Sequence, residues 1–156
     1  MKGAGDVPKQ TLRRVLVAIA FLVPLGSTFA ETPWDVLTRF GLTGTWARNC
    51  GVAPDASVFW QTFSRDKNGR VQVRVDRGHD VPSLTYTVDG ARLISANKLR
   101  LINRYDDGTI YDVILIKEEN RVRTLESKTN DGKELAKDAV NISSGQPTAW
   151  LEKCGK

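Results

Sequence analysis

Arg70-Val71-Gln72-Val73-Arg74-Val75 alternates polar and β-branched apolar residues immediately after Asn68-Gly69. A two-residue period places the three valines on one face of a pleated strand. Asn-Gly in front of it tolerates the positive φ that tight hairpin turns require, and its twist suits the flanking strands. The same punctuation recurs at Asp89-Gly90, Asp107-Gly108 and Asp131-Gly132. Together these signals predict at least four hairpins.

Outward from this stretch the alternation repeats at Leu84, Tyr86 and Val88, and again where Leu99 and Leu101 flank Arg100. Tyr111 to Ile116 is apolar except for Asp112, which predicts a strand covered on both faces, by core on one side and by a helix or loop on the other. Val122 and Leu125 sit within the polar run 121–128, a weaker strand. The pattern gives eight or nine strands, at about 43–49, 58–65, 70–77, 83–88, 91–96, 99–105, 109–117, 121–128 and 133–140. Sequential short strands joined by tight turns predict an all-β, antiparallel up-and-down meander, and closure into a small barrel removes its exposed edges.

A short helix precedes the strands. Thr32 suits its N-cap, Pro33 the first helical position and Asp35 the third residue of a capping box, while Gly41 ends it. Trp34, Leu37 and Phe40 fall three apart, giving the helix one apolar face with which to plug a barrel end. At the other extremity Gln146 to Cys154 reads as a short helix or extended strap, with Trp150 packing inward beside a disulfide.

Residues 1–30 read as a cleaved secretory signal, leaving 31–156 as a single domain. Lys2, Lys9, Arg13 and Arg14 supply a positive start, Val15 to Leu25 an apolar run too short to span a bilayer, and Ser27-Thr28-Phe29-Ala30 a small-residue cleavage site. This predicts a periplasmic protein with no stable membrane insertion after cleavage. The whole chain carries a formal +5, but removal of four basic residues and one acidic residue leaves 19 basic against 17 acidic side chains, a formal +2. Interspersed charges so near balance give no basic stripe for nucleic acid.

Cys50 and Cys154 are the only two cysteines, and in an oxidising compartment they permit one intramolecular bridge. It would tie the carboxyl-terminal strap to an early strand. A metal or redox role is disfavoured, because there is no Cys-x-x-Cys motif and one histidine in the chain. No cofactor is implied.

Gly44-Thr45-Trp46, opening the first strand after the helix, resembles the Gly-x-Trp signature of lipocalin-like (calycin) barrels. That resemblance implies a basic residue late in the barrel covering the tryptophan, for which Arg121 and Arg123 are the candidates. Such a contact contributes about 0.5–2 kcal/mol and is structural. The longer pattern of Gly44 to Ala47, Cys50 and Trp150 to Cys154 resembles a group of small exported proteins of alphaproteobacteria to which no activity is attached. A partial similarity to bacterial metalloprotease-inhibitor barrels rests on the Gly-x-Trp strand and nearby cysteine. In that family the disulfide closes a short early loop and a free amino-terminal strand enters the protease cleft, whereas here the second cysteine is Cys154 and the amino-terminal segment reads as helix.

No catalytic constellation is visible. His79 beside Asp80 reads as an exposed turn histidine without a nucleophile, and Asp106-Asp107-Gly108 as a hairpin turn without the spaced oxygen ligands of a calcium loop. In a hollow barrel Phe59, Phe63, Tyr86, Tyr105 and Tyr111 would line an apolar pocket, with Trp60 on the opposite face of its strand. The competing expectation, and the favoured one, is an interior filled by side chains, as eight-stranded barrels allow. The function expected is non-enzymatic binding of a small apolar ligand or a protein partner, with protease inhibition second and hydrolysis a remote third.

Overall fold

The computed structural model describes residues 31–155; the predicted signal segment 1–30 lies outside the described residues. One helix, α1 (Pro33–Phe40), precedes ten strands: β1 (Gly44–Ala47), β2 (Trp60–Arg65), β3 (Val71–Asp76), β4 (Leu84–Ser95), β5 (Lys98–Tyr105), β6 (Ile110–Glu118), β7 (Arg121–Thr129), β8 (Glu134–Lys137), β9 (Val140–Asn141) and β10 (Leu151–Cys154). β1 to β7 pair in sequence, all antiparallel, and β10 closes the ring between β1 and β7. The barrel therefore has eight strands, and β8–β9 is a hairpin branching from the far half of β7.

Alternation sets the interior. Trp46, Phe63, Val71, Val73, Tyr86, Val88, Leu99, Leu101, Val122 and Leu151 are buried together there with Leu37 and Phe40 of the helix. The valines of β3 face inward as their period requires, paired with Phe63 on β2 and with Tyr86 and Val88 on β4.

The helix begins where its caps dictate. The Thr32 side chain accepts from the Asp35 amide at 3.3 Å, the Asp35 carboxylate accepts from the Thr32 amide at 3.2 Å, and Gly41 ends the helix with φ +83°. The Thr32 hydroxyl, 2.6 Å from the Asp35 carboxylate, and after it the Thr32 amide hold the Asp35 carboxyl below its ordinary pKa. Its C-terminal carbonyls, left unpaired by helix geometry, receive two lysines from the wall: Lys117 Nζ donates to Phe40 O at 2.6 Å and Lys153 Nζ to Gly41 O at 3.3 Å. Both charges also complement the negative end of the helix dipole. Val36, Leu37 and Phe40 are buried against the strands, so α1 closes one end of the barrel.

Three of the four Asx-Gly signals are hairpin turns: 68–69 joins β2 to β3, 107–108 joins β5 to β6, and 131–132 joins β7 to β8. The fourth is not. Asp89-Gly90 lies inside a continuous β4 as a bulge, so the strands expected at 83–88 and 91–96 are one. The bulge resets the alternation: Val88 faces the same side as Asn103, while Ala91 and Leu93 face that of Leu101 and Leu99. The turn itself falls at Ala96-Asn97. Likewise the strand expected at 133–140 is broken at Asp138-Ala139, where both residues take positive φ, 50° and 60°. The expected terminal strap is a barrel strand, β10.

β6 is half-buried along nearly its whole length, and among the described residues a groove borders its outer face in place of the covering helix or loop expected. That face carries Ile114 in a shallow groove bordered by Arg92, Arg100, Asp112, Glu126, Lys128 and Lys137, long side chains able to shield it with their stems. Arg100 makes a bidentate pair with Asp112 at 2.8 and 2.6 Å. These hydrogen bonds first, then the charges of Arg100 and Lys128, hold the Asp112 carboxyl below its ordinary value of 3.8 despite partial burial.

A depressed carboxyl stabilises the fold above its unfolded pKa, and that contribution is lost as pH falls through the folded value. Asp112→Asn is therefore expected to lower the urea midpoint at neutral pH, with the gap to the parent closing as pH drops below 3.8. Urea denaturation at neutral and acid pH measures this, and a gap independent of pH would contradict it.

Candidate functional site

The interior is filled toward the helix-closed end, by Leu37, Phe40, Val71, Val73, Val88 and Leu99, and hollow over the rest. A cavity of about 570 Å³ runs from Leu42 and Trp46 near the helix-closed end to the opposite mouth, and exposed Arg48, Gln146 and Pro147 among its lining show that it reaches solvent. Phe59, Phe63, Val75, Leu84, Tyr86, Leu101, Val113 and Leu115 supply its apolar wall.

The seam that closes the ring is short. β10 pairs with β7 only through Leu151↔Val122 and Glu152↔Arg121, after which β7 turns to pair with β8. Leu135, Ala136, Asn141 and the segment 146–149 complete the lining. Thr148 latches this segment: its hydroxyl donates to Thr124 O at 2.6 Å and its amide to Ala139 O at 2.8 Å.

Four of the five residues expected in a pocket line it: Phe59, Phe63, Tyr86 and Tyr105. Tyr111 does not. It packs instead against Tyr105, ring centroids 4.7 Å apart and tilted 59°, while Tyr105 stacks on Tyr86 at 4.7 Å. The Tyr86 hydroxyl accepts from the Gln61 amide. Burial pushes its pKa well up, and burial with Tyr111 and Asp107 pushes Tyr105 up to about 12, so both phenols are neutral donors near pH 7. Trp60 lies opposite Ala47, half-buried, with its indole N–H donating to Val52 O at 3.1 Å.

Three polar atoms among the described residues are buried without a hydrogen-bond partner: Arg77 Nε, Asn103 Oδ1 and Arg123 Nε. All three residues border the cavity. Asn103 projects inward from β5 between Leu101 and Tyr105 and is 5% exposed. A buried amide oxygen lacking a donor is costly, and polar cavity walls are where a ligand or water supplies the missing partner.

Sequence reasoning missed Arg77, Asn103, Gln61 and the segment 146–149. Parity from Val71-Val73-Val75 would have placed Arg77 on the inner face, and parity from Leu99-Leu101 would have placed Asn103 there too.

The barrel signature differs from its expected form. Trp46 is buried and its indole N–H donates to Leu42 O at 2.8 Å, but the cation near its ring is Lys153, 5.8 Å from the centroid. Arg121 and Arg123 instead lie over Trp150, at 4.7 and 4.3 Å. The register explains this: Lys153 is the β10 partner of Trp46, whereas Arg121 and Arg123 flank Val122 and reach Trp150, Arg123 also bordering the cavity. Trp150 is half-buried between those guanidinium groups and lines no part of the cavity, contrary to the inward packing expected.

Cys50 and Cys154 form the expected disulfide, with Cα atoms 5.3 Å apart. His79 and Asp80 are exposed in the β3–β4 loop and do not line the cavity. Asp107 is occupied in its turn, its carboxylate accepting from the Thr109 amide at 2.8 Å. No group of three or more potential metal-ligating side chains occurs among the described residues.

The fold and site define a closed eight-stranded antiparallel barrel with a solvent-reachable internal cavity and one disulfide. In comparisons with known proteins the chain matches no family model, and no match is found among curated proteins or solved structures.

Proposed function

We propose that this is a non-enzymatic, lipocalin-like binding protein of the periplasm that holds one small, largely apolar molecule inside its barrel. The cavity carries the reading. At about 570 Å³ it falls within the range that houses small ligands, with an apolar wall and a few convergent polar groups. A second support is Asn103, whose unpaired amide oxygen gives a ligand a point of orientation within that wall. Protease inhibition is less well supported, since the segment that would have to enter a protease cleft as a free strand is here the capped helix α1, buried against the barrel.

The neutral fluorophore N-phenylnaphthylamine should bind saturably at one site per chain, with native mass spectrometry giving the same stoichiometry. Leu84→Trp, which adds volume at a half-buried wall position, is expected to weaken probe binding about tenfold or more while leaving the β-sheet circular dichroism intact. An absence of saturable binding, or full affinity in the filled variant, would remove the cavity from the function.

A further inference from the structure

We propose that the cavity selects apolar molecules ending in a carboxylate, with Arg77 as the counter-ion at its mouth; this deepens the binding reading above and rests on it. The charges around the cavity are one-sided. Its lining includes Arg48, Arg77 and Arg123 but no aspartate or glutamate, and none of the three arginines belongs to any salt bridge among the described residues.

Arg77 directly follows β3 and continues the inward parity of Val73 and Val75. One edge of its guanidinium is pinned, Nη2 donating to Pro82 O at 2.8 Å. Nε is buried and has no acceptor among the described residues. Two nearby acids are engaged elsewhere: Asp76 accepts from the Gly78 amide at 3.1 Å, and Asp55 from the amides of Ser57 and Val58, each at 2.7 Å; the exposed Asp80 makes no salt bridge to Arg77. The loop carrying Asp55 lies against Gly78, the residue after the arginine, its Pro54 carbonyl oxygen standing 2.5 Å from where a Cβ on Gly78 would be.

A guanidinium held in place through one nitrogen offers a carboxylate charge-assisted hydrogen bonds, an alcohol oxygen only a weaker uncharged one and a hydrocarbon none. The low-dielectric wall behind it accepts the hydrocarbon part of the ligand and strengthens the charge pairing at the rim. Arg48, exposed at the same cavity, adds a second positive charge that solvent screens.

Displacement of bound N-phenylnaphthylamine by laurate and by the uncharged alcohol of equal chain length, at neutral pH, tests this directly. Laurate is expected to bind at least about tenfold more tightly, as befits a charge-assisted hydrogen bond. Arg77→Gln should remove most of that preference by weakening laurate binding far more than alcohol binding, and Arg77→Lys, which keeps the charge but not the planar guanidinium, should restore part of it. Equal affinity of acid and alcohol in the parent protein would overturn the counter-ion assignment while leaving cavity binding intact, as would an undiminished preference in Arg77→Gln. Failure of the fluorophore, the acid and the alcohol alike to bind would remove both readings. The comparison on the parent protein needs no variant to fold.

Discussion

Replacing Cys50 and Cys154 together with alanine is expected to lower the unfolding free energy by about 4.7 kcal/mol, the loop-entropy value for a closed loop of about a hundred residues. The bridge spans 104 positions, so its removal frees nearly the whole described chain in the unfolded state. A domain of this size has a total stability of about 5–15 kcal/mol, so the loss is a large fraction of what holds it folded. The seam it guards adds a native-state contribution. β10 is four residues long, and its hold on β7 is limited to two register pairs. Three more pairs join it to β1, and the disulfide fastens the end of that pairing.

Guanidinium denaturation of the oxidised protein and the double variant measures the loss, and amide exchange along β10 divides it. Faster exchange confined to Leu151–Cys154 would show that the bridge also holds the seam shut. Unchanged β10 exchange in a globally less stable variant would place the effect in the unfolded chain alone. A loss below about 1 kcal/mol would mean that neither mechanism operates, far under the range usual for native disulfides.

Local chemistry was what the sequence expressed most clearly. Thr32, Pro33, Asp35 and Gly41 specify their helix within ten residues, because each acts on the backbone beside it. Asn68-Gly69, Asp107-Gly108 and Asp131-Gly132 specify their turns for the same reason. Asp89-Gly90 carries the identical dipeptide signal and yields a bulge, since pairing on both sides of it with a single partner, β5, outweighs the local preference for reversal. No local signal distinguishes the two outcomes. The cation beside Trp46 is likewise set at a distance: it depends on which β10 residue stands opposite, and a shift of one residue would exchange Lys153 for its neighbours. Hollowness is the least local property of all. The cavity wall draws on a seam of two pairs between β7 and β10 and on Leu135, Ala136 and the 146–149 segment, none of which a strand pattern records.

Trp46→Ala is expected to destabilise the protein by about 3–5 kcal/mol, the range for truncating a buried tryptophan. The ring is 2% exposed and belongs to the cluster that joins helix α1 to the barrel wall. Truncation removes that contact and leaves Leu42 O, which accepts the indole N–H at 2.8 Å, without its donor. Trp46→Phe separates the two effects, because it keeps an aromatic ring while deleting the donor. Its cost should be about 1–3 kcal/mol, the desolvation penalty of an unsatisfied buried acceptor. Lys153→Met should cost less than about 1 kcal/mol through the ring contact, which is long at 5.8 Å, and any larger loss would point to its bond with Gly41 O at the end of the helix. Urea denaturation of the three variants ranks these contributions. A phenylalanine variant as unstable as the alanine one would show that Trp46 acts chiefly by anchoring the Leu42 carbonyl, and so the chain between helix and first strand, rather than by filling the floor of the cavity.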